Sequence, residues 1–379
     1  MPSPTPVVAL TRLQVNHVRN ILKADLESLA QVNVFFGRNG SGKTSMLEAI
    51  HLLGMARSFR GNSIKPLISH NHPSCTVFGK VSPPRSEVSV TLGVQRSARG
   101  DVQIKVASKA VRSIAQLVEQ FPLQVINSDS FDLLTGSPAA RRQYLDWGVF
   151  HVEHLFFGQW QRFQRCIKQR NKLLRRGKIS DQELAVWTRD LAEAGAAITD
   201  FREAYFELLA PRFGQIMKRL APGVDALQLR FRRGWDKQHS YAEALENGIE
   251  ADKEQGYTHA GPQRADLRVL VDGHVAADTL SRGQQKLVVC GLKLAQGQLM
   301  AELGAGRCTY LIDDLPSELD REHSELVCSL LAGMESQVFI SCVHRQDIAA
   351  VWPQNSDIAM FHVEHGNVER YYEPGPPGC

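Results

Sequence analysis

The sequence has no apolar run near the ~20 residues that a membrane-crossing helix needs, so no membrane span is expected. Its first residues, "MPSPTPVVALTRL", lack the charged start and long apolar stretch of a secretory signal. The seven cysteines (Cys75, Cys166, Cys290, Cys308, Cys328, Cys342 and Cys379) form no C-x-x-C pair. That argues against structural zinc and against a disulfide framework, and the cytosol is the expected compartment. "HVEH" occurs at 151–154 and 362–365, but neither copy is H-E-x-x-H and no third metal ligand is evident. No internal repeat is present, and no heptad pattern is sustained over three or four repeats, so any coiled-coil arm is short. What remains is an ordinary composition, 43% hydrophobic and 22% charged over 379 residues, enough for two domains. The net charge of +4 is compatible with nucleic acid without requiring it.

The stretch "GRNGSGKTSMLEAI" is more specific. It fills G-x-x-x-x-G-K-[ST] with Gly37, Arg38, Asn39, Gly40, Ser41, Gly42, Lys43 and Thr44. "VNVFFG" before it reads as a buried strand, and "SMLEAIHLL" after it reads as a packed helix. Strand, glycine loop and helix are the context a P-loop requires. Glycines let backbone amides turn toward a phosphate, and the helix N-terminus adds partial positive charge. Lys43 is expected at the β- and γ-phosphates, and Thr44 on Mg²⁺. A nucleoside triphosphate with Mg²⁺ is therefore expected, and the loop alone does not say which base.

Such a site also needs an acid at the end of a buried strand. "CTYLIDDLPSELD" supplies Asp313 for the Mg²⁺ shell and Asp314 to orient or activate water. A loop with capping carboxylates is the blander alternative. Just upstream, "DTLSRGQQKLVVCGLKLAQGQLM" places Ser281 as the N-cap of a long helix. Ser281, Gly283 and Gln284 resemble the S-G-G-Q signature of ABC-type ATPases, with Arg282 in place of a glycine. "SELD", from Ser317 to Asp320, lies where those ATPases carry their D-loop. In that class two protomers pair head to tail, and each signature serine meets the γ-phosphate held by its partner. An ATP-dependent homodimer is the implication.

Further segments resemble the RecF family of bacterial recombination mediators along nearly the whole chain. They are "GRNGSGKTSMLEAIHLLGMARSFRG", ending in Ser58, Phe59 and Arg60; "LLTGSPAARRQYLDWGVFH" around Arg141 and Arg142; "QRNKLL"; "GPQRADL"; "SRGQQKLVVCGLKLAQG"; and "YLIDDLPSELD". Two departures are visible. Gln263 stands where the family usually has histidine, and His344 comes late for a switch histidine. Neither is given a role. The resemblance implies an α/β, ABC-type (SMC/RecF-like) P-loop ATPase head with an inserted, mainly helical second lobe. It implies ATP-dependent binding to DNA, meaning single strands, duplex or gapped junctions. It further implies cooperation with RecR, RecO and RecA at single-strand gaps, support of the SOS response, and a weak DNA-stimulated ATPase. An ATPase subunit of a membrane transporter shares the core motifs and is the alternative. A small-molecule P-loop kinase has no use for a signature serine.

Because the P-loop and Asp313 must meet, both ends of the chain should build one core. The expected division is 1–130 and 255–379 for the core, with 131–254 as the helical lobe. Residues 76–107 alternate like antiparallel strands, residues 137–220 read as helical, and the tail "EPGPPGC" reads as disordered. For DNA, three basic groups are candidates. The run at 162–178 offers Arg165, Lys168, Arg170, Lys172, Arg175 and Arg176; the P-loop helix is followed by Arg57, Arg60 and Lys65; and "RFRRGW" spans 230–235. A solvated helix face is the plain alternative for the first.

Overall fold

The computed structural model describes residues 9–61, 63–83, 88–175, 181–224, 226–354 and 356–372. Arg176 and the 373–379 tail, both subjects of expectation, lie outside them. The chain divides into two compact units, 1–130 with 286–379, and 131–285. Among the described residues no helix is long and apolar enough to cross a membrane.

The first unit contains two six-stranded sheets. One is antiparallel, built from β1 (Leu10–Val18), β2 (Ile21–Glu27), β4 (Ser74–Val81), β5 (Val90–Ser97), β6 (Val102–Val106) and β7 (Lys109–Val111), in the order β2-β1-β4-β5-β6-β7. The alternation over 76–107 therefore forms strands as expected. Val77 and Cys75 turn inward while Lys80 stays exposed, which is the period-two signature of a sheet buried on one face.

The other sheet is mostly parallel. Its strands are β3 (Val32–Phe36), β8 (Leu123–Ile126), β12 (Thr309–Ile312), β13 (Val338–Cys342), β14 (Ile358–Glu364) and β15 (Asn367–Tyr371), in the order β15-β14-β3-β13-β12-β8. β12 and β13 are buried at every position, and β3 at all but its last, as expected for parallel strands covered on both faces. Segments from opposite ends of the chain thus become neighbours, because β13 pairs with both β3 and β12. The helix Lys43–Met55 follows β3 and buries Met46, Leu47, Ile50, Leu52 and Leu53 in the same core.

The second unit is mainly helical, with helices Pro138–Val152, Phe156–Leu174 and Asp181–Leu220. It also carries a sheet that was not anticipated: β9 (Leu227–Arg232), β10 (Asp266–Val271) and β11 (His274–Val275), in the order β11-β10-β9. This sheet is why the unit runs on to Gln285, where the expected lobe ended at 254. The segments around Arg141 and "GPQRADL" hold one another. Arg141 forms an ion pair with Asp266 at 2.7 Å and donates to the Gly136 carbonyl, and Arg142 donates to the Ala265 carbonyl at 2.9 Å. Arg202 clamps Asp146 and donates to the Pro262 carbonyl. Gln263 donates to the Ala260 carbonyl at 3.0 Å.

Candidate functional site

The P-loop forms at the end of β3 and turns directly into the helix Lys43–Met55. Two glycines are required by geometry. Gly37 has φ 149°, and a Cβ there would fall 2.2 Å from the Val363 carbonyl oxygen; Gly42 has φ 121° against the side chains of Ile21 and Asn20. A side chain at either position would push the loop off its supports.

Thr44 Oγ1 donates to Asp313 Oδ1 at 2.9 Å, across 269 positions of sequence. The two halves predicted to share a metal shell therefore meet. Lys43 Nζ bends back onto the Gly37 and Arg38 carbonyls at 2.8 and 3.0 Å. Burial pushes its ammonium below the ordinary lysine value, and the nearby charges of Asp314 and Asp313 oppose that shift. Ser41 Oγ is buried with no hydrogen-bond partner among the described residues. A cation held only by carbonyls, an orphaned hydroxyl and a loop of glycines suit an anionic phosphate chain. The oxygen pair of Thr44 and Asp313 suits a hard divalent cation such as Mg²⁺. The residues present thus fit both expected groups.

Asp314 follows in the left-handed region, at φ 54°. Two supports were missed in the sequence. Ser341 on β13 donates to Asp313 Oδ1 at 2.6 Å and accepts the Asp314 amide at 2.9 Å, fixing both acids from the neighbouring strand. A hydroxyl in the otherwise apolar "VFISC" was the available signal. Asn20, in the turn between β1 and β2, donates to the Ser41 carbonyl at 2.9 Å and accepts from Ser45 Oγ at 2.8 Å. Nothing local marked Asn20, which precedes Gly37 by 17 positions.

Ser281 is exposed and caps the helix Arg282–Glu302. Its Oγ accepts the Gln284 amide at 3.3 Å, and Gln284 Oε1 accepts the Ser281 amide at 3.0 Å. Arg282 and Gly283 are exposed in the same turn. Ser317 is exposed, and its amide donates to the Asp314 carbonyl at 3.0 Å. Asp320 caps the helix Arg321–Gly333 through the His323 amide at 2.9 Å. The hydrogen bonds from that amide and from the His323 ring hold its carboxyl below the ordinary range. His344 is exposed and opens the short helix Arg345–Ala349.

The basic candidates divide. Arg165, Lys168, Lys172 and Arg175 are exposed and recur at helical spacing, so they share the outer face of Phe156–Leu174 and its cap. Arg170 does not belong with them. It is fully buried, bonded to Asp252 and Thr258 at 2.7 Å each and to Thr188 at 3.0 Å. The helix turns every 3.6 residues, so a basic run cannot keep every member on one face. Arg57, Arg60 and Lys65 are exposed in the first unit. The two "HVEH" segments sit differently: His151 packs on Trp147 with centroids 4.4 Å apart, and His362 lies against Phe36 at 5.2 Å.

The RecF/RecN/SMC N terminal domain family matches residues 9–369. A DNA replication and repair protein RecF of Stutzerimonas stutzeri (strain A1501) is 48% identical over 367 residues, covering 97% of this chain and 99% of its own. The RecF of Pseudomonas aeruginosa (strain LESB58) is 47% identical over 363 residues, covering 96% and 98%. Among solved structures, a recombination mediator protein RecF with ATP, in the RecFOR pathway, aligns with a TM-score of 0.84 at 24% identity, covering 98% of this chain and 100% of that one. An Smc head bound to the C-winged helix domain of ScpA aligns at 0.58 and 14% identity, covering 96% and 97%. The fold is that of RecF and SMC heads.

Proposed function

The chain belongs to the RecF family, and on that premise we propose that it is an ATP-dependent DNA-binding protein of recombinational repair and replication restart. Its relatives carry the name DNA replication and repair protein, and a structural neighbour is described as a recombination mediator in the RecFOR pathway. In this reading the protein binds gaps or single-strand/duplex junctions, dimerises on ATP, helps RecO and RecR load RecA, and supports the SOS response. Family membership gives no support to the transporter-subunit alternative.

The observation that carries the ATP part is the Thr44–Asp313 hydrogen bond, which joins the loop and the acid strand into one oxygen-lined corner. Bound Mg²⁺-ATP supplies a phosphoanhydride whose γ-phosphate can pass to water. Thr44 and Asp313 would hold the metal, and the P-loop amides would hold the phosphates. Lys43 would exchange its two carbonyl partners for phosphate oxygens. Asp314 would orient the attacking water as general base. It is one methylene shorter than a glutamate in that role, so water positioning is loose and turnover slow. Ser281, at its exposed helix cap, would serve the nucleotide of the partner protomer, and Ser317 and Asp320 would act as the D-loop.

DNA contact is assigned to the exposed stripe Arg165, Lys168, Lys172 and Arg175, and to Arg57, Arg60 and Lys65, each neutralising phosphates without reading bases. The test is ATPase and sedimentation, with and without gapped DNA. Stimulated turnover together with an ATP-dependent dimer is expected. A wild-type protein that neither binds ATP nor responds to DNA would refute the reading. In Lys43→Met the loss of the fixed cation should weaken ATP binding or stop turnover with the fold retained.

A further inference from the structure

The second unit holds a cavity of about 830 Å³ beside the β9–β10 pair, and among the described residues six cationic side chains and three acidic ones line it. Two of the acids are already engaged. Glu203 takes a two-pronged contact from Arg233, and Asp266 is shared by Arg141 and Arg268. Arg230, Arg232 and Lys237 form no ion pair among the described residues.

The strand register sharpens the charge. Arg230 stands opposite Arg268, and Arg232 opposite Asp266, so these four side chains share one face of the antiparallel pair. Like charges directly opposite one another destabilise a sheet, and here Arg268 alone of the two arginines has a carboxylate. The other face of β9 carries the packing, with Phe231 against Phe206 at 6.0 Å. The arginines therefore add nothing to the core. Among the described residues β9 is also an edge strand of its sheet.

We infer that this cradle takes one sugar–phosphate strand of nucleic acid. Arg230 and Arg232 lie two residues apart, about 6.8 Å along a strand, close to the step between successive phosphates. Guanidinium groups match phosphate oxygens in pairs. Lys237 contributes a cation from a loop and Arg264 one from the short helical turn Pro262–Arg264, so charge lines the cavity beyond the strand pair. An acidic peptide offers carboxylates at a similar repeat. Nucleic acid is favoured because its charge is unbroken along the strand. The inference rests on the DNA-binding reading above and adds a surface separate from the residues assigned there.

The test uses the full chain with ATP and Mg²⁺, a labelled 20-nucleotide dT strand and a labelled 20-base-pair duplex. Anisotropy across a salt series compares wild type with Arg230→Ala/Arg232→Ala. At least a tenfold loss is expected on one or both DNAs. The salt slope should fall by about 1.4 on the single strand or about 1.8 on the duplex, for two lost phosphate contacts. Which DNA suffers identifies the source of the strand. Circular dichroism and ATP affinity serve as folding controls. If wild type binds DNA and the double variant matches it in affinity and slope on both, the cradle assignment is wrong and the DNA-binding reading stands. That result would turn attention to an acidic peptide. If wild type binds neither DNA, the DNA-binding reading and the cradle fall together.

Discussion

Arg170 and Asp252 meet at 2.7 Å with both side chains withdrawn from solvent. A residue that sits in the most basic stretch of the chain is thus a buried structural ion, not part of a DNA surface. Removing one partner of such a pair strands the other charge, so Arg170→Ala should cost about 3–5 kcal/mol. Arg165→Ala and Lys168→Ala, on the exposed face, should change stability by less than about 0.5 kcal/mol while lowering the salt dependence of DNA binding. Urea unfolding of the three variants checks this. Equal stabilities would contradict the burial of Arg170.

That contrast shows how far the sequence was legible. The P-loop and the double acid are local patterns of fixed spacing, so Gly37 to Thr44 and Asp313 stand out as candidates in the sequence alone. Their meeting through Thr44 was inferable because a shared Mg²⁺ site, where expected, would need both. Asp252 and Thr258, which hold the buried end of Arg170, lie 82 and 88 residues further on, and no local pattern links them to it. Ser341 was hidden for a related reason: its role comes from the adjacency of β13 and β12, which only the folded sheet creates. "LQLRFR" alternates like a strand, but its outward positions are Gln228, Arg230 and Arg232 and none of its residues is fully buried, so a basic surface run and an edge strand look alike in sequence.

Ser341→Ala removes a hydrogen bond from each acid of the site. Loss of a bond to a charged group is worth about 1.5–3 kcal/mol, and each ~1.4 kcal/mol is tenfold in rate. Turnover should fall about tenfold or more, while ATP affinity, set mainly by the P-loop, changes little. Ser341→Thr should restore part of the rate. An alanine variant with wild-type turnover would show that the β13 hydroxyl does not position the acids.

Asp266 gives a pH dependence. Burial pushes its carboxyl up, but hydrogen bonds and charge from Arg141 and Arg268 outweigh this and hold it below the ordinary carboxylate value. A folded pKa below the unfolded one contributes stability above the unfolded value, about 3.9, and loses it as pH falls through the folded value. Asp266→Asn should therefore be less stable than wild type at pH 6, on the order of 3 kcal/mol. The gap should close progressively below about pH 4. Paired urea titrations across pH 2.5–7 (roughly the span of carboxylate linkage) read the gap directly. A gap that stays constant with pH would exclude a titrating ion pair.

Ser281→Arg should leave ATP binding by the monomer close to wild type and abolish the ATP-induced dimer. In the proposed arrangement the serine serves the partner's nucleotide, so its loss does not empty the P-loop of its own chain. Arginine places bulk where the γ-phosphate must approach. It also removes the oxygen that accepts the Gln284 amide, a cap worth about 1 kcal/mol. That is too little to unfold a domain of ordinary stability, about 5–15 kcal/mol, so circular dichroism should be unchanged. DNA-stimulated turnover should vanish. Mixing Ser281→Arg with Lys43→Met protein separates action in trans from a folding defect. In the mixed dimer the intact P-loop of the Ser281→Arg chain faces the intact signature of the Lys43→Met chain, so one whole site is rebuilt. Partial recovery of turnover on mixing, absent from either variant alone, is the expected result. A Ser281→Arg protein that dimerises and hydrolyses ATP normally would reduce the serine to a helix cap and remove the basis for a head-to-tail dimer.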